Sequence, residues 1–168
     1  MTTVRDALVQ LKALLMTATA AGQPALAAGY VMPDDYAVLP DALTLPFLVV
    51  GELYNTPNDW SRKASGLAVH KWRAEVLVCT AQGPLLSLNA DTATAMLKTR
   101  NWARALAAVL WANQSLNGTA QIIGEPAGEM RRLFQYGIGH VFLDPANQYW
   151  GLRLELPIQQ THAQVMDA

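Results

Sequence analysis

Asp91–Asn113, DTATAMLKTRNWARALAAVLWAN, is the longest clean helical pattern in the chain and the most apolar. At 3.6 residues per turn it stacks Ala95, Trp102, Leu106, Val109 and Leu110 on one face, which predicts that this face is buried. Asp91 stands at the N-cap position, where a side-chain oxygen satisfies free amides of the first turn. Lys98, Arg100 and Arg104 fall outward of the apolar stripe or at its edge. Asn117-Gly118 closes the segment with residues that tolerate a left-handed cap. A sheet is the natural partner for the buried face. The opposite face places Leu97 and Trp111 beside Arg100 and Arg104 instead of beside more charge, so the helix has a second apolar surface and calls for a second partner.

Working outward, residues 3 to 20 repeat Val4, Leu8, Leu11, Leu15 and Ala18, with Ala7 and Leu14 widening the stripe. Thr3 and Asp6 form a capping box in which Asp replaces Glu, so a first amphipathic helix is expected here. From Gly22 to Pro46 the text shifts to Gly, Pro, Ala and Asp, which predicts a long ordered connection. Such a connection is uncommon in a compact domain unless it is functional or lies against another surface. Phe47 to Tyr54 (FLVVGELY) reads as a buried strand. Asn55 to Gly66, polar and turn-rich, reads as a long hairpin loop carrying Trp60, Arg62 and Lys63. Residues 67 to 79 alternate His70, Trp72, Ala74, Val76 and Val78 with Lys71, Arg73, Glu75 and Leu77, one face core and one wet.

Gln82-Gly83-Pro84 breaks that strand, and Leu85 to Leu88 has room for a brief pairing. Beyond the central helix, Thr119 to Gly124 predicts a strand, Pro126 to Tyr136 a connection with one helical turn, and Ile138 to Leu143 another strand ending in an Asp144-Pro145 turn. The clearest strand is the last. Trp150, Leu152, Leu154, Leu156 and Ile158 alternate there with Tyr149, Gly151, Arg153, Glu155 and Pro157. The expected class is α+β: an antiparallel sheet of four or five strands packed by the long central helix and the N-terminal helix. One domain spans 1–158, and 159–168 is a tail with little to bury.

The chain has 168 residues, 52% apolar and 15% charged, which fits one compact globular domain with a sizeable core. A formal charge of -1 argues against general nucleic-acid binding. The distribution is nevertheless uneven, because Arg62, Lys63, Lys71, Arg73, Lys98, Arg100 and Arg104 lie close in sequence, opposed there only by Glu75 and Asp91. Cys79 is alone, so no internal disulfide forms and a reducing, intracellular history is expected. Asp6, Gln10 and Lys12 interrupt any signal-peptide core, and no run approaches the ~18 apolar residues of a membrane span, so a soluble chain without a membrane partner is expected.

Chemistry is sparse. His70, His140 and His162 lie on different elements with no Cys or carboxylate at ligand spacing, so no metal is expected. His70 falls on the core face beside Trp72, as a hydrogen-bonded core histidine does, and Cys79 reads as packing. Gly137-Ile138-Gly139 lacks the third glycine and precedes a strand, so it fails as a dinucleotide fingerprint, and no Walker or G-x-S-x-G sequence is present. Asp34-Asp35, between Pro33 and Tyr36, reads as a turn. No catalytic residue and no cofactor are expected. Trp60, Trp111 and Tyr149 are instead large rings predicted outside the core, where such rings anchor interfaces.

The order of elements is familiar. An N-terminal helix is followed by a proline-broken connection ending in Leu45-Pro46-Phe47-Leu48-Val49-Val50. The alternating strand His70-Lys71-Trp72-Arg73-Ala74-Glu75-Val76 comes next, then a helix with Trp102, Leu106 and Leu110. Leu116-Asn117-Gly118-Thr119 leads to a further strand, and Tyr149-Trp150-Gly151-Leu152-Arg153-Leu154-Glu155-Leu156-Pro157-Ile158 closes the series. This resembles, over most of the chain, the tail terminator or tail-completion proteins of long-tailed bacteriophages and the related minor tail proteins of the neck. The resemblance implies a non-enzymatic structural protein of the virion, assembled in the host cytoplasm. It would form a homo-oligomeric ring, commonly a hexamer, that caps the tail tube, stops its polymerisation and joins the head.

Its partners would be copies of itself, the tail tube protein and a head-completion or connector protein, with DNA only in transit. A ring needs two different patches on each subunit. Candidate interface residues, for oligomer or partner, are Trp60, Arg62, Lys63, Leu97, Arg100, Arg104, Trp111 and Tyr149. Lys71, Arg73, Glu75, Arg153 and Glu155 are candidates to face a lumen. The alternatives are another neck, connector or tube protein and, in a different class, a small α+β hydrolase or ligand-binding domain with a pocket near His70, Asp34 and Asp35.

Overall fold

Two long strands, β4 (Ala68–Gln82) and β9 (Asn147–His162), form the spine of the molecule. A computed structural model describes residues 3–36, 43–54, 59–62, 66–83, 90–127, 130–144 and 147–162. In it the two strands pair antiparallel from Ala68 opposite His162 to Gln82 opposite Tyr149, with one irregularity between Cys79 and Ala81. Both alternate as their sequences require. Trp72, Ala74, Val76 and Val78 share one face with Leu152, Leu154, Leu156 and Ile158, and all are buried.

On one flank, β2 (Phe47–Glu52) pairs antiparallel with the C-terminal half of β4, and β3 (Asp59–Arg62) with its N-terminal end. Outside β2 lies β1 (Ala28–Met32), parallel to it. On the other flank, β5 (Gln121–Ile122) and β8 (Gln135–Asp144) both pair with β9. The class is α+β, but the sheet has seven strands and is mixed, where an antiparallel sheet of four or five was expected.

The added strands have physical reasons. β1 is a short run hemmed by Pro24 and Pro33, and its stabilising partner, Phe47–Gly51, lies beyond the reach of any local pattern. β3 occupies part of what reads as a loop, because Asp59–Arg62 continues along β4 past the point where β2 ends. The expected connection with a helical turn is instead a separate ribbon of β6 (Glu125–Ala127) and β7 (Met130–Arg132). The tail starts later than 159, since Gln159 to His162 still pair with β4. The suggested pairing at Leu85–Leu88 and the proline of the Asp144-Pro145 turn lie outside the described residues.

Two helices cover one face. α1 (Val4–Leu15) is held at its start by the capping box: the Asp6 amide donates to the Thr3 hydroxyl at 3.1 Å, and the Thr3 amide donates to the Asp6 carboxylate at 2.7 Å. Ala7, Leu8, Leu11 and Leu15 are buried. The helix stops short of residue 20, although Ala18 is still in the core. α2 (Ala90–Ala112) begins one residue before Asp91, which therefore sits in the first turn and not at the N-cap, where its charge still suits the helix dipole. It buries Ala95, Trp102, Leu106 and Leu110 as the periodicity predicts, with Thr92, Thr99 and Ala103 added. The Thr99 and Thr80 hydroxyls share a 3.0 Å hydrogen bond that ties α2 to β4. Asn117 and Gly118 take left-handed φ values of 53° and 80° in a short 3-10 turn.

The face without helices carries a smaller cluster at one end: Phe47, Val49, Leu77, Cys79, Val141 and Tyr149. Tyr149 is thus corrected from an outward ring to a core one, 5% exposed and edge-on to Phe47 at 5.0 Å. Burial pushes the Cys79 thiol up to about 12, in line with a packing role.

Gly151 on β9 lies against the backbone of β4, and a Cβ added there would enter the van der Waals radius of the Val78 carbonyl oxygen. Gly139 pairs with it from β8, yet a Cβ there meets nothing within 4 Å. Gly151→Ala is expected to cost about 3 kcal/mol, the upper end for overpacking. Gly139→Ala is expected to stay within about 0.5 kcal/mol of the parent. Urea melts of the two variants, compared with the parent, check this pair of values.

Candidate functional site

Lys71, Arg73, Glu75, Arg153 and Glu155 come from two strands whose register brings them together on the face away from the helices. Glu75 stands directly opposite Glu155, an arrangement that repels unless a cation intervenes. Arg153 intervenes. Its Nε donates to Glu75 Oε2 at 2.7 Å, and its Nη2 lies 2.6 Å from the same oxygen and 3.5 Å from Glu155 Oε1. The group is partly exposed, so the bridge contributes on the order of 1 kcal/mol or less. Its consequence is electrical: three cations and two carboxylates leave this surface close to neutral. Gly137, opposite Arg153, extends the face on β8 as bare backbone, with nothing within 4 Å of where its Cβ would be.

A second surface is the outer side of α2. Leu97 is 61% exposed and Trp111 55%, with Arg100 and Arg104 exposed between them. Leu97, Arg104 and Trp111 recur every two turns and so form one stripe, as expected. This is the apolar-basic surface that the sequence pattern points to.

The other expected interface residues divide. Trp60 is half exposed, but it lies on β3 and not in a loop, and its ring is stacked flat on His70 with centroids 4.2 Å apart and planes 4° apart. His162 stacks on the same ring at 5.6 Å. Trp60 therefore covers its own domain on one side and faces outward on the other. The Arg62 side chain and Lys63 lie outside the described residues. Gln160, which falls in the expected tail, is buried instead. It accepts from Trp72 Nε1 at 3.0 Å and donates to the Thr3 carbonyl at 2.9 Å, joining β4, β9 and the start of α1.

The residues of the expected pocket do not converge. Asp34 pairs with Arg5, and Asp35 accepts from the Val31 amide at 2.6 Å, a turn role. His70 packs with Trp60 and His162 instead. Among the described residues no group of three or more His, Cys, Asp or Glu is placed to hold a metal, and no helix is long and apolar enough to cross a membrane. A groove of about 350 Å³ at the β1–β2 edge went unread in the sequence, because β1 did. It is lined by Met32, Tyr36, Val49, Tyr54 and Leu77, with Glu52 and Glu75. The only local signal for it is the pair of tyrosines flanking polar turns. No protein-family model matches the chain, and no curated protein matches it in sequence.

Burial holds the His70 pKa below its ordinary 6.5, with nearby His162 lowering it further and Glu52 opposing. A base with a lowered folded pKa contributes stability that is complete above 6.5 and is lost as pH falls through the folded value. Thermal melts of the parent are therefore expected to fall on acidification below about pH 6.5, and His70→Gln to flatten that slope while leaving the melt at pH 8 within a few degrees. Equal slopes for the two proteins would contradict the assignment.

Proposed function

We propose that this chain is a non-enzymatic structural protein of a phage virion, the subunit of a ring on the end of the tail tube. The ring ends tube polymerisation and provides the joint to the head. The observation that supports this best is the two-sidedness of the sheet. One face is sealed by helices, and the other presents a polar, nearly neutral wall of Lys71, Arg73, Glu75, Arg153 and Glu155. A wall of that kind suits a lumen through which DNA moves. A strongly basic one would hold DNA through phosphate contacts with counterion release, and an acidic one would repel it.

In this reading the stripe of Leu97, Arg100, Arg104 and Trp111 faces away from the lumen and meets the tube protein or the head-side connector. Trp and Arg side by side on an exposed helix are the residue types that dominate binding energy at protein contacts. In this reading the ring sits at the tail end of the neck, and the same surfaces would serve a neighbouring connector ring.

Light scattering coupled to size exclusion, over a range of concentrations and with tail tubes added, tests this reading. Closed rings of about six copies, visible by negative stain, are the expected result. Trp111→Ala is expected to leave ring mass unchanged and to weaken capping of tubes by at least about tenfold. A monomer that neither assembles nor binds tubes would overturn the proposal.

The lumen assignment has its own check. Glu75→Gln combined with Glu155→Gln removes both carboxylates from the wall that also carries Lys71, Arg73 and Arg153 and makes it more positive by two charges. The doubly substituted ring is expected to retain DNA in filter binding with a steep loss between about 50 and 200 mM salt, a signature the parent lacks.

A further inference from the structure

β8 is the long outer strand on its flank of the sheet, bonded to β9 and to no other described strand. The Ile123 amide donates to the Pro157 carbonyl at 3.1 Å, so the odd-numbered residues of β9 turn their backbone groups toward this flank. Gln135, Gly137 and Gly139, opposite Glu155, Arg153 and Gly151, answer them. Tyr136 and Ile138 therefore turn their amides and carbonyls outward, where nothing among the described residues meets them.

Open edges of this kind are normally blunted by charge, by proline or by a covering turn. The edge at β1 is blunted: the Val31 amide donates to the Asp35 carboxylate at 2.6 Å, and the Val31 carbonyl accepts from the Asp35 amide at 2.8 Å. β8 has no such guard, since Gln135 to Leu143 includes no Lys, Arg, Asp, Glu or Pro. Gly137 is exposed, with open space where its Cβ would be, which leaves room for a second backbone to approach. Tyr136 beside it is 57% exposed. An antiparallel strand is its own complement about a two-fold axis, and self-pairing here sets no like charges against each other. The other outer strands of the described sheet are β1, closed at Val31, β3 with four residues and β5 with two. The strand that fits β8 is therefore β8 of a second copy.

We infer that β8 is a strand-addition interface, pairing two copies antiparallel about a two-fold axis at Gly137. In this register Tyr136 faces Ile138 of the second copy, Ile138 faces its Tyr136, and each pair exchanges both backbone bonds. An aromatic ring then covers a β-branched side chain on each side of the axis. Gly137 meets its own counterpart at a non-bonded position, where the Cα atoms stand about 4.5 Å apart and the lack of a side chain suits the approach. The two charged walls come to lie on the same side of one continuous sheet. This pairing goes beyond the ring reading and does not rest on it.

Gly137→Cys and Gly139→Cys, each in the full chain under a glutathione redox buffer, test the register. Both positions have room for the thiol, and the native Cys79 is buried. Gly137→Cys is expected to give a disulfide-linked dimer at least about tenfold faster than Gly139→Cys, whose thiols would be carried by Cα atoms about 14 Å apart. Ile138→Pro removes an outward amide and spares the bonds to β9, so it is expected to weaken self-association by roughly 30-fold in sedimentation. Equal cross-linking at the two glycine positions, or none at either, would overturn the pairing whether or not the proline variant folds. Parent rings that form while Gly137→Cys fails to cross-link would overturn it and leave the ring reading standing. A parent chain that pairs and assembles no further, with or without tubes, would support the pairing and overturn the ring.

Discussion

The long antiparallel pairing of β4 with β9 is the constraint on which the other elements depend. Its register is pinned by packing at one point, since only a residue without a Cβ fits at position 151 against the Val78 carbonyl. With that register set, the side-chain period of two sends Trp72, Val76, Leu152, Leu154 and Leu156 to one face and Lys71, Arg73, Glu75, Arg153 and Glu155 to the other. A slip by one residue would bury the charges and expose the leucines. Each buried aliphatic side chain contributes ~1.5–3 kcal/mol relative to exposure, so the wrong register is excluded many times over.

Everything outside the pair attaches to it. β2 and β3 line one flank, β5 and β8 the other, and α1 and α2 close the apolar face. Gln160 joins the end of β9 to Trp72 and to the first turn of α1 through two hydrogen bonds. Buried polar groups that are fully partnered in this way fix geometry, because the alternative leaves them unsatisfied in a dry core. Arg153 does similar work on the wet face, where it separates two glutamates that the register forces together.

The surfaces left over are directional. The helix side carries the stripe of Leu97 and Trp111, the β1–β2 edge carries a groove lined in part by Glu52, and the separate β6–β7 ribbon carries the exposed Met130. Trp60 is a different case. Its stacking on His70 and His162 gives it an intramolecular role that an exposed tryptophan in a polar setting does not announce.

By itself the sequence determined the parts whose signal is periodic and local: the capping box at Thr3 and Asp6, the buried stripe of α2 with its outward Leu97 and Trp111, the alternation of β4 and β9, and the left-handed turn at Asn117-Gly118. Those follow from spacing, because a helix or a half-buried strand writes its own period into the residues. It also determined which charges share the wet face. Only the tertiary structure decided the rest. β1, β3 and the ribbon are too short to show a period, and each exists by pairing with another strand that its own residues do not announce. Tyr149 sits on the polar side of its strand, yet it is buried, because Phe47 and Val141 reach that end of the sheet from other strands and build a second small core there. The groove arises between β1 and β2, and no residue in either segment signals it alone. Local pattern specifies which face a side chain takes, while what covers that face depends on the packing of elements remote in the chain.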